Sequence, residues 1–190
     1  MEAGVRTSVD NENKNKIMIR IFFLGVVLLS ALRSHAQNQE YLKIVWAEEY
    51  QWKVLSNQEN DATHMLELIP GGESAENWTM LGTMISYKNT RIAQADQLIA
   101  IYGEVAKGQS ASAVVTELER HAVGERLWVL FKVETPSFPN DPRPESQLYY
   151  AVQGEVTLYV NFIALREKQL SDAFTEKWSK IFKASELVYD

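Results

Sequence analysis

His64 and His121 are the only imidazoles after residue 36, and the chain has no cysteine. A zinc site or a proton-transfer site draws on such groups at set spacings, two on one helix face or one beside a carboxylate. Neither histidine has a second four residues away, neither belongs to a His-Glu-x-x-His run, and the two fall on different expected strands. Both read as strand-face residues, and no metal or other cofactor is expected. Thiol catalysis and thiolate metal binding are excluded by composition.

Carboxylates come next. Glu48 with Glu49, and Glu117 with Glu119 and Glu125, are close enough in sequence to suggest the acid and base of a glycoside hydrolase. That chemistry needs two carboxyl groups at a defined separation, which proximity along a strand does not supply. A solvated acidic face explains them, and a hydrolase with a carboxylate-based site is kept as the alternative function. Met65, Met80 and Met84 could be soft-metal ligands, but without a His pair or a Met-x-x-Met run they read as core methionines. No Gly-x-Ser-x-Gly elbow and no glycine-rich phosphate loop occurs. No catalytic residue is assigned, and an enzyme is the less favoured class.

Recognition is better served. "FPNDPRPESQLYY", 138–150, puts Phe138, Arg143 and an exposed-looking pair, Tyr149 and Tyr150, near one end of the expected sheet. Prolines lower the entropy lost on binding, and aromatic and Arg side chains are enriched at protein contacts. Trp78, in "GGESAENWT", is a further candidate contact residue, although a Trp between a short helix and a strand reads first as a core plug. Asn77-Trp78-Thr79 also fits a glycosylation acceptor, which has meaning only in a eukaryotic secretory route.

Around these residues the elements are legible from period and punctuation. Residues 41–58 read as two short strands and 63–70 as an alternating strand ended by Pro70, paired across "SNQENDA". Ser74 as N-cap with Glu76 in the first turn predicts one helical turn, giving way to a strand near Thr83. Ile92, Ala95, Ile99, Tyr102 and Ala106 are at helical spacing, with Gly108 as the C-cap candidate. Val115–Arg120 and Leu127–Glu134 form a hairpin about Gly124, and a second hairpin turns at Gln153-Gly154. Between the hairpins, residues 136–146 hold four of the five prolines and must be a loop. The last helix is capped by Ser171 and buries Phe174, Trp178, Ile181 and Phe182. The expected class is α+β: an antiparallel sheet of about six or seven strands with helices packed on it.

The N-terminal end predicts export. Residues 17–36 read as a signal peptide: an apolar run behind Lys14, Lys16 and Arg20, with Ser34 and Ala36 preceding a cleavage point before Gln37. The unbroken apolar run is about a dozen residues, short of the roughly 20 that span a bilayer, so no membrane insertion is expected after cleavage. Residues 1–16 form a polar extension, and 37–190 form a single domain. Residues 1–36 contain five of the 19 Lys/Arg and three of the 25 Asp/Glu, leaving 14 basic and 22 acidic side chains and a net charge of −8. Long-range repulsion then argues against nucleic acid as a partner. The expected location is periplasmic or secreted.

The order of elements, with "ELIPGGESAENWT" and the terminal "EKWSKIFKAS", resembles the PsbP-like fold, named for an extrinsic subunit of photosystem II. It is similar as well to a group of exported bacterial proteins marked by Asn-Trp-Thr after a Pro-Gly turn, an "ESQLYYAVQGE"-like hairpin and a Trp in the last helix. The resemblance covers nearly all of 41–188. It implies an α/β/α sandwich and a binding or assembly role, contacting an envelope protein or a small apolar ligand, with no shared catalytic residues to carry over.

Overall fold

The computed structural model describes residues 40–121, 126–139, 141 and 143–190. The expected leader and polar extension lie outside the described residues, as do the Gly124 turn and Glu125. Residues from Gln39 to Asp190 form one compact unit. Its strands are β1 (Glu40–Lys43), β2 (Lys53–Glu59), β3 (Thr63–Ile69), β4 (Met80–Tyr87), β5 (Val114–His121), β6 (Trp128–Thr135), β7 (Glu145–Gln153), β8 (Leu158–Leu165) and β9 (Glu186–Tyr189). Helix α1 (Ala95–Gln109) joins β4 to β5, and helix α2 (Asp172–Lys183) joins β8 to β9.

Seven strands make one antiparallel sheet in the order β2-β3-β4-β8-β7-β6-β5, as the α+β expectation required. Both expected hairpins form. A second sheet, the pair β1-β9, goes beyond the expectation and places Glu40 opposite Tyr189. Glu40 locks this pair to the main sheet: its carbonyl accepts from the Tyr159 hydroxyl at 2.8 Å and its carboxylate from the Glu155 N–H at 2.6 Å.

Strands β7 and β8 are buried almost throughout because a helix layer covers each face. On one face α1 presses Ala95, Leu98 and Ala106 onto Val129, Phe131, Tyr149 and Ala151. On the other, α2 presses Trp178 and Phe182, both fully buried, onto Leu148, Tyr150, Val152 and Ile163. Each such aromatic contributes roughly 1.5–3 kcal/mol through burial alone. The α2 end signals behave as expected: the Ser171 hydroxyl accepts from the Phe174 N–H at 3.3 Å, and Asp172 and Lys183 complement the helix dipole.

Three local expectations fail. Tyr149 and Tyr150 are not an exposed pair but 5% and 4% accessible, because alternate residues of a central strand point into both cores. No helical turn forms at 74–78: the Ser74 hydroxyl donates to Glu76 at 2.8 Å instead of capping. Meanwhile the Glu73 carboxylate takes the Thr79 N–H at 2.7 Å and the Thr79 hydroxyl, an alternative that competes with helix. Gly108 does not end α1, whose cap is Ser110, with its N–H donated to the Ala106 carbonyl.

Candidate functional site

Where β7 begins, the chain builds a cleft of about 720 Å³. Gly108 and Gln109 from the end of α1 form one wall, and Phe138, Pro139 and Asp141 of the proline loop form another. Glu145, Gln147 and Arg166 complete it. Hydrogen bonds tie described residues of the loop to the α1 cap and to one another. Ser110, the cap of α1, donates its hydroxyl to the Ser137 carbonyl at 2.7 Å, and the Phe138 N–H donates to the Asp141 carbonyl at 3.2 Å.

Arg166 joins most of the parts. It follows the last residue of β8, and its N–H donates to the Thr79 carbonyl at 3.0 Å, which fixes it beside the Trp78 segment. Its guanidinium carbon lies 3.8 Å from the Trp78 ring centroid, while Nη1 donates to Glu145 at 2.9 Å. Glu145 in turn accepts from the Gln147 amide at 2.6 Å, and Gln147 accepts from the Tyr149 hydroxyl. A single polar chain thus runs from a half-exposed indole to a buried phenol. Burial pushes the Tyr149 phenol well above its ordinary pKa, so it remains a neutral donor. The guanidinium Nε is buried and finds no acceptor among the described residues.

Of the five residues singled out from sequence, Phe138 lines the cleft, and Trp78 borders it through Arg166. Trp78 is therefore not the expected core plug. Tyr149 supports the cleft from within, and Tyr150 belongs to the opposite face, stacked on Phe182 at 6.0 Å. Arg143 stands on the loop with its guanidinium forked onto Asp141 at 3.0 and 2.8 Å. That hydrogen-bonded contact draws the Asp141 carboxyl down to about 2. Arg166 and Glu145 carried no signal in the sequence: an Arg after a strand gains meaning only once Trp78 is beside it.

The other chemistry-bearing residues are dispersed. His64 shares a 2.8 Å hydrogen bond with the Asn57 side chain, and His121 stacks on Trp128 at 6.0 Å. Met80 and Met84 pack against the core on the α2 face. Glu49 pairs with Lys177 at 2.6 Å and Glu119 with Lys183 at 2.7 Å. Glu117 and Asp96 share Arg120, whose hydrogen bonds hold both carboxyls below their ordinary range. A general acid needs the opposite shift. No group of three metal-binding side chains and no helix long and apolar enough to cross a membrane occurs among the described residues. A comparison with family models finds no match and no curated protein matches the chain, so the Phe138 cleft is judged on its geometry.

Proposed function

We propose that this chain is an exported, non-enzymatic binding module that engages an envelope protein or a small apolar ligand through the Phe138 cleft. The observation that carries the reading is the hydrogen-bonded proline loop, which holds Phe138 half-exposed beside an Arg166 already oriented by Trp78 and Glu145. Pre-ordered aromatic and guanidinium groups lose little entropy on contact, which is what a recognition surface requires. Export rests on the apolar run 17–32 and the Ser34-x-Ala36 pattern, with cleavage before Gln37 and a periplasmic or secreted destination. The PsbP-like assignment rests on the order of elements and on the aromatic terminal helix. A binding or assembly role is what that fold resemblance favours.

The test is crosslinking and capture of the tagged chain from envelope and medium, with Phe138→Ala/Arg143→Ala alongside. A discrete partner retained by the parent and lost by the folded double variant is the expected outcome. Equal capture by both removes the cleft from the contact. Capture of nothing by either, with an apolar compound co-purifying, shifts the reading to the small ligand.

A further inference from the structure

At the other end of β7 a second cleft, of about 820 Å³, opens beside His121 and the turn that follows Gln153. Its walls carry Arg91 and Arg126. Five arginines lie among the described residues, and Arg120, Arg143 and Arg166 each form a salt bridge. Arg91 and Arg126 have no carboxylate partner among the described residues, and they share this cleft. In a chain this acidic, two guanidiniums outside any salt bridge and lining one cavity are a local concentration of positive charge.

The site is built as well as charged. Arg91 Nη1 donates to the Glu155 carbonyl at 2.9 Å, which fixes its guanidinium against the wall and leaves its remaining donors free to turn inward. The buried Gln153 side chain holds the segment carrying Arg91 in place, accepting from the Ile92 N–H at 3.0 Å and donating to the Thr90 carbonyl at 3.2 Å. Charge and shape narrow the ligand. Glu155 also lines the cleft and the Glu40 carboxylate borders it, accepting from the Glu155 N–H at 2.6 Å and from the Tyr189 hydroxyl at 3.4 Å, so two carboxylates offset the two guanidiniums, which leaves room for a monoanion and is poor for a dianion. Val156, 47% exposed, and the Tyr189 ring, 43% exposed, offer an apolar wall.

We propose that this cleft binds a small organic monocarboxylate with an apolar body, its carboxylate held by Arg91 and Arg126 and its body against Val156 and Tyr189. The experiment titrates octanoate into the purified chain by calorimetry and by amide NMR, with octanol and inorganic phosphate as comparison probes. Saturable octanoate binding is expected, with amide shifts centred on His121, Gly154–Val156 and Tyr189. Arg126→Gln and Arg91→Gln should each weaken it about tenfold, the loss of one charge-assisted contact. Should Arg91→Gln disturb the turn it supports, Arg126→Gln alone decides, checked against Arg126→Lys by circular dichroism. Octanol binding as tightly as octanoate, phosphate binding as tightly, indifference to the Arg126 variant, or no binding up to about 10 mM would each overturn the proposal. Phe138→Ala leaves octanoate binding unchanged, which separates this site from the proline-loop cleft; shifts centred on Phe138 instead would place the ligand there.

Discussion

Gly82 governs how closely the aromatic layer meets the sheet. A methyl group on it would lie 2.4 Å from the Trp46 ring, which is itself wedged against Trp52 at 5.2 Å and Trp178 at 5.5 Å. The indole therefore has no easy retreat. Gly82→Ala is expected to destabilise the fold by about 1–3 kcal/mol, the usual cost of overpacking, and to change tryptophan emission. Urea unfolding measures this, and an unchanged midpoint would show that Trp46 moves aside freely. Residue-scale function was only partly legible in the sequence. Phe138 could be found because prolines enforce a loop, but Tyr149 and Tyr150 could not be sorted. A tyrosine's exposure depends on what covers its face of the sheet, and here both faces are covered.

Among the elements, the loop leading into α2 is held by two buried side chains, Ser146, whose hydroxyl donates to the Glu167 carbonyl at 2.9 Å, and Glu134. Glu134, near the end of β6 and 7% exposed, accepts the Leu170 N–H at 2.9 Å and pairs with Lys132 at 3.1 Å. Glu134→Ala strands that N–H in the interior and is expected to cost about 1–3 kcal/mol, whereas Glu134→Gln keeps an acceptor oxygen and costs less. Chemical denaturation of the pair tests this; equal losses would assign the effect to charge instead. Most elements were readable because their apolar residues follow period 2 or period 3.6 over eight or more positions. The pair β1-β9 escaped because each strand is four residues long and its partner lies at the far end of the described chain. The turn at 74–78 was misread because Glu73, one residue before the expected cap, claims the Thr79 amide.

For the molecule as a whole, the buried phenols set an upper pH limit. Burial is the leading cause raising the pKa values of Tyr102, Tyr149, Tyr150 and Tyr159, and for Tyr159 the Glu40 charge adds to it. Folding therefore favours the protonated form of each. Their contribution is fully present below the unfolded value of about 10 and is lost as pH rises through the raised folded values. The urea midpoint should hold up to pH about 9 and fall as pH rises past about 10. A flat profile would mean the phenols ionise in place without strain. The two clefts stand at opposite ends of β7, one beside a loop legible through its prolines and the other hidden because Arg91, Arg126 and His121 come from separate segments.

Pairing Glu40 with Tyr189 also sets an order of events. The hairpins β2-β3, β5-β6 and β7-β8 join near neighbours in sequence and can form as soon as their residues are available. The β1-β9 pair must wait for Glu186–Tyr189 to emerge, because closing so long a loop gains nothing until its second strand exists. Among the described strand pairs it is the one that closes the longest stretch of chain. A nascent chain lacking Glu186–Tyr189 would hold the main sheet while leaving β1 unpaired and accessible to chaperone or protease.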